Sequence, residues 1–159
     1  MSISDATTDC DLVLEREVPV TVEQLWSGWT DPSVLVRWFT PAPWVTTEVE
    51  IDLRPGGVFR TVMQGPDGER NEGSGCVLMA EPFRKFVWTS ALGPGFAPVP
   101  AVGDGFLFTA VLEFAAAGKG AVYRATARHA NAADATAHSD MGFHVGWGAA
   151  LDQLVALFA

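Results

Sequence analysis

The chain is 159 residues long, 48% apolar and 18% charged, with a formal net charge of −9. That length suits one domain with a sizeable core, and that composition excludes a disordered chain. The negative charge argues against nucleic-acid backbones and anionic membrane surfaces as partners, and no apolar run in the sequence approaches the roughly 18 residues of a membrane-spanning helix.

Residues 1–10, MSISDATTDC, are small, polar and acidic and read as a flexible tail. They hold neither a basic nor an apolar signal region, which predicts a cytoplasmic protein with its two cysteines reduced. In DLVLEREV, Leu12, Leu14, Arg16 and Val18 alternate with Val13, Glu15 and Glu17, the period of a strand. The pattern points Arg16 inward, so it needs an exposed strand end, a carboxylate or an anionic ligand. Thr21 and Gln24 have capping-box spacing over VEQLWSGW, and Asp31-Pro32 starts a second short helix that stops before Pro41.

WVTTEVEIDL predicts a half-buried strand with Val45, Thr47, Val49, Ile51 and Leu53 on one face. Glu48, Glu50 and Asp52 share its other, solvated face. RPGG turns the chain into VFRTVMQ, where Phe59, Thr61 and Met63 face inward. After the PDG turn come GSGCVLMAEP and RKFVWTSA, with Phe86 and Trp88 on one side. Residues 92–105, LGPGFAPVPAVGDG, hold four glycines and three prolines and read as an irregular, mobile loop with the apolar side of a lid. FLFTAVLEF aligns Phe106, Phe108, Ala110, Leu112 and Phe114, and AVYRATARHA aligns Tyr123, Ala125, Ala127 and His129. In that hairpin Glu113 sits across from Arg124. Asn131 caps a final helix over 132–158. The order is one strand, two short helices, six strands and one long helix, an α+β domain over 11–159 with a seven-stranded antiparallel sheet.

Three stretches, REVPVTVEQLWSGWTDPSVLVRWFTP, EIDLRPGGVFRTVMQGPDG and MGFHVGWGAALDQL, resemble the activator of heat shock protein 90 ATPase-like family. That family lies within the SRPBCC (START / Bet v allergen / polyketide cyclase) superfamily. The likeness runs over about residues 11–158. It implies a helix-grip fold, a curved sheet wrapped around the C-terminal helix with a cavity between them. It implies an apolar binding site more strongly than any reaction, because the superfamily spans lipid carriers, cyclases, resistance proteins and chaperone activators.

The final helix tests that implication. A helical wheel groups Phe143, Trp147, Leu151, Leu154, Val155 and Phe158, with His144 inside the face. Gly148 falls on the sheet side near Met141 and His144, leaving room for a packed ring or for a pocket. Gly142 and Gly146 fall on the other side, where the short helices or a second copy of the chain could approach. His138 and His144 are six residues apart, about 120° from sharing a helix face, so neither a metal site nor a cofactor is expected. No phosphate loop, nucleophile elbow or catalytic triad is visible. The reading is a domain that binds a small apolar or aromatic molecule through Phe59, Met63, Trp88, Phe108, Leu112, Met141, His144 and Gly148. The alternatives are a cyclase- or hydrolase-like enzyme with His144 as acid/base, and a chaperone-associated interaction module, with or without homodimerisation.

Overall fold

The computed structural model describes residues 7–100 and 105–159. The expected elements appear in the expected order. Strand β1 (Asp11–Val18) leads into helices α1 (Val22–Thr30) and α2 (Pro32–Leu35). Four strands follow, β2 (Val45–Ile51), β3 (Val58–Gln64), β4 (Arg70–Glu81) and β5 (Lys85–Thr89). A short hairpin of β6 (Leu92–Gly93) and β7 (Ala97–Pro98) precedes β8 (Phe108–Ala117) and β9 (Gly120–His129). The chain ends in α3 (Ala132–Asp140) and α4 (Phe143–Leu157).

The large sheet has seven strands, all paired antiparallel, in the order β1-β9-β8-β5-β4-β3-β2. Each hairpin lays its strands side by side. The helices α1 and α2 carry the chain from one sheet edge, β1, to the other, β2. Both halves of the α1 capping box form: Thr21 Oγ1 accepts from the Gln24 amide at 3.1 Å, and Gln24 Oε1 accepts from the Thr21 amide at 2.9 Å. Asp31 Oδ1 likewise accepts from the Ser33 amide at 2.9 Å. Leu25 and Trp29 of α1, Leu35 of α2, and Leu151 and Leu154 of α4 join Phe59, Phe86, Leu112 and Tyr123 of the sheet in one buried core.

Three local expectations are corrected. The final helix is broken. Gly142 adopts φ 95° and ψ 38°, a conformation that glycine takes without a Cβ penalty, and it separates α3 from α4. A glycine placed by the wheel on a smooth face is a hinge between two helices. The alternation of β2 is interrupted where the pairing slips between Thr46 and Glu48, so Val45 is exposed rather than inward. The loop after β5 is partly regular. Leu92 pairs with Pro98 and Gly93 with Ala97, and the Phe96 ring packs over Gly56 of the RPGG turn. Residues 101–104 of that segment, and 1–6 of the expected tail, lie outside the described residues. Within the rest of the tail, the Cys10 carbonyl accepts from the His129 amide at 3.0 Å.

Candidate functional site

Aromatic side chains form a continuous path through the layer between sheet and helices. Trp29 lies 5.8 Å from Phe39, and Phe39 lies 6.1 Å from Phe59. Phe59 stacks on Trp88 at 4.4 Å with planes 16° apart. Trp88 meets Phe108 edge-on at 5.5 Å, and Phe108 lies 4.9 Å from the His138 ring. The path ends at Phe143 and Trp147 of α4, 4.8 Å apart. Strand alternation places Phe59, Trp88 and Phe108 on the same side of three strands, and the sheet order brings β3, β5 and β8 close enough for their rings to touch.

The indole nitrogens divide sharply. Trp29 Nε1 donates to the Tyr123 hydroxyl at 3.1 Å, and Trp38 Nε1 donates to the Gly28 carbonyl at 2.9 Å. Trp88 is only 7% exposed, and its Nε1 has no hydrogen-bond partner. A buried donor left unpaired costs about 1–3 kcal/mol, and such a group in a native fold calls for a specific reason.

Next to this wall lies a pair of histidines, each 8% exposed. His129 Nδ1 is 2.8 Å from the Cys10 carbonyl, and His129 Nε2 is 2.9 Å from His138 Nδ1. His138 is ringed by Phe106 at 4.7 Å, Phe108 at 4.9 Å, Phe143 at 5.2 Å and Trp147 at 6.3 Å. Burial, reinforced by the neighbouring His129, lowers the His138 imidazole from the ordinary 6.5 to about 4. Phe106, Phe108 and Trp147 are half-buried and form the outer rim of this cluster.

The residues expected from sequence divide accordingly. Phe59, Trp88 and Phe108 come together, and Leu112 is fully buried in the same core. Met63 is half-buried and stands outside the core cluster. Met141 is 75% exposed at the hinge. His144 is exposed too; its ring meets Phe143 at 5.0 Å, and its Nε2 lies 3.1 Å from the Val13 carbonyl. The wheel put Met141 inward because it assumed a helix unbroken from 132, and the break at Gly142 leaves Met141 at the end of α3. His144 keeps its place on the wheel with Leu151 but lies in the first turn of α4, where it is exposed. Gly148 is buried but opens no space for a ring or a ligand. A Cβ there would overlap Nη2 of Arg16, whose Nη1 pairs with Asp152 of α4 at 2.6 Å. Arg16 thus finds the carboxylate that its inward position required.

The histidine pair was missed because its members are nine residues apart, on a strand and a helix joined by a turn. One signal was available: the register that sets Glu113 opposite Arg124 also sets Phe108 opposite His129. An open groove of about 510 Å³ lies elsewhere, at the β8–β9 turn, lined by Glu17, Pro19, Ala117 and Gly118 among others, and it includes none of the expected residues. Among the described residues, no cluster of three metal-ligating side chains occurs, and no helix is long and apolar enough to cross a membrane.

The comparisons with known proteins agree with this architecture. A protein from Nitrosomonas europaea is 40% identical, with 96% of each chain covered and a TM-score of 0.89. A protein from Mycobacterium smegmatis is 26% identical, with 100% of this chain and 96% of that chain covered and a TM-score of 0.79. An AHSA1 protein from Silicibacter pomeroyi, 23% identical over 93% of this chain and 96% of that chain, shares the fold with a TM-score of 0.66. No curated protein matches. The family model described as Activator of Hsp90 ATPase homolog 1-like protein matches residues 19–159, and its helix-grip architecture is the seven-stranded sheet and terminal helices seen here. The chain belongs to the Activator of Hsp90 ATPase homolog 1-like family.

Proposed function

We propose that this domain binds a small aromatic molecule between the sheet and the C-terminal helices, against Phe59, Trp88 and Phe108. The observation that carries the reading is the buried, unpaired Nε1 of Trp88 in a wall of rings. An apolar site with one or a few convergent polar groups is the usual design of a small-molecule site. A ligand that stacks on the rings and offers an acceptor oxygen would satisfy the indole and repay its desolvation. The half-buried Phe106, Phe108 and Trp147 supply the side from which such a molecule enters.

Titration of the folded protein with the neutral dye N-phenyl-1-naphthylamine tests this. Saturable binding, weakened in Trp88→Leu at unchanged far-ultraviolet circular dichroism, is expected. Absence of saturable binding to the wild-type protein, or identical binding by a folded Trp88→Leu variant, would overturn the reading.

A further inference from the structure

We infer that the His129–His138 pair forms the polar end of this aromatic site and accepts the hydroxyl proton of a phenolic ligand at His138 Nε2. The inference rests on the binding site proposed above and names the class of molecule it takes.

In the neutral pair the tautomers follow from a single carbonyl. The Cys10 oxygen can only accept, so His129 Nδ1, 2.8 Å away, carries a hydrogen. A neutral His129 then has a bare Nε2, which accepts at 2.9 Å from His138 Nδ1. A neutral His138 with its hydrogen on Nδ1 has a bare Nε2. That nitrogen has no hydrogen-bond partner among the described residues. His138 is held neutral by its surroundings: it is 8% exposed and enclosed by phenyl and indole groups.

The pair therefore works as an oriented acceptor. The backbone of Cys10 fixes His129, His129 fixes His138, and four aromatic rings surround the imidazole that carries the free lone pair. An isolated acceptor in such a place selects a hydrogen-bond donor carried on an aromatic body. A phenol supplies both parts, its ring for Phe106, Phe108 and Trp147 and its O–H for the nitrogen. An amine that is charged near neutral pH is disfavoured by the cost of burying its charge. Phe108 touches both Trp88 and His138, so one ligand can reach the indole and the imidazole together.

The test displaces N-phenyl-1-naphthylamine with 1-naphthol and with 1-methylnaphthalene, two probes of similar shape that differ by hydroxyl against methyl. Wild-type protein should release the dye to 1-naphthol at about tenfold lower concentration, the value of one neutral hydrogen bond. In His138→Leu the preference for 1-naphthol over 1-methylnaphthalene should be lost. Protein labelled with nitrogen-15 at histidine gives a readout free of any folding change: 1-naphthol, and not 1-methylnaphthalene, should shift the His138 Nε2 resonance. Equal displacement by both probes, or a silent Nε2 resonance, would overturn the role of the histidines and leave the aromatic site standing. Failure of the wild-type protein to bind the dye at all would overturn both.

Discussion

The guanidinium of Arg16 occupies the space that a side chain at residue 148 would fill. One nitrogen lies under Gly148 and the other pairs with Asp152 one turn further along α4, so a strand residue and a helix are clasped through a missing Cβ. Substitution at 148 consequently acts through Arg16. Gly148→Leu is expected to cost about 1–3 kcal/mol by overpacking. Arg16→Ala should remove most of that cost, because it empties the contested space. The urea unfolding of both single variants and the double variant measures the coupling. A leucine penalty that survives intact in the Arg16→Ala background would contradict this account.

The glycines on either side of the α4 start should respond in opposite directions. Gly142 holds φ 95°, where an alanine is strained, so Gly142→Ala is expected to destabilise by about 1–3 kcal/mol. Gly146 is within α4, and its built Cβ meets only Pro41 Cγ at 4.0 Å, an ordinary contact. Gly146→Ala should stabilise by up to about 1 kcal/mol through helix propensity. Thermal unfolding of the two variants checks the sign in each case.

Acid should weaken the fold through His138. In the unfolded chain this histidine binds a proton near 6.5, whereas in the folded chain it does so only near 4. Between those values the unfolded state holds more protons. The stability contributed by neutral His138 is therefore complete above 6.5 and is lost as pH falls towards 4. The rings that face His138 among the described residues are His129 of β9, Phe106 just before β8, Phe108 at its start, and Phe143 and Trp147 of α4, of which only His129 is ionisable. Denaturation midpoints followed from about pH 7 to about pH 4.5 should fall more steeply for wild type than for His138→Leu. Parallel slopes would remove His138 as their cause.

The β6–β7 hairpin is latched rather than loose. The Gly95 amide donates to the Gly56 carbonyl at 2.7 Å, and the Val99 amide donates to the Ala91 carbonyl at 3.0 Å. Phe96 is 49% exposed, so Phe96→Ala removes little core while taking the ring off Gly56. Hydrogen exchange at Gly95 and Val99 should accelerate in that variant, with exchange in β8 unchanged. Equal protection with and without the ring would show that the backbone bonds alone hold the hairpin.

How far the sequence reaches depends on the range of the interaction. Alternation in LEREV, FLFTAVLEF and VYRATARH needs only neighbouring residues, and these strands appear with the expected faces. The Thr21–Gln24 and Asp31–Ser33 caps are equally local and form as read. The displacement of Met141 from the α4 face follows from the backbone at Gly142, which no wheel contains, and the exposure of His144 follows from its place in the first turn of α4. The contact between Arg16 and Gly148 spans most of the chain and depends on how α4 lies across β1. Phe59, Trp88 and Phe108 could be grouped from strand faces alone. Pairing His138 with them required knowing where the chain goes after Asn131.

A single helix over 132–158 would be a straight rod about 40 Å long. Division at Gly142 leaves α4, with buried Leu151 and Leu154, as the anchoring piece, and α3 as a separate piece that buries only Ala135 and His138. On the binding reading proposed above, the two pieces carry different duties: α3 brings His138 to the aromatic rim, and α4 supplies the leucines of the core. Substitution of the exposed residues of 132–140 would then alter the rim without emptying the core.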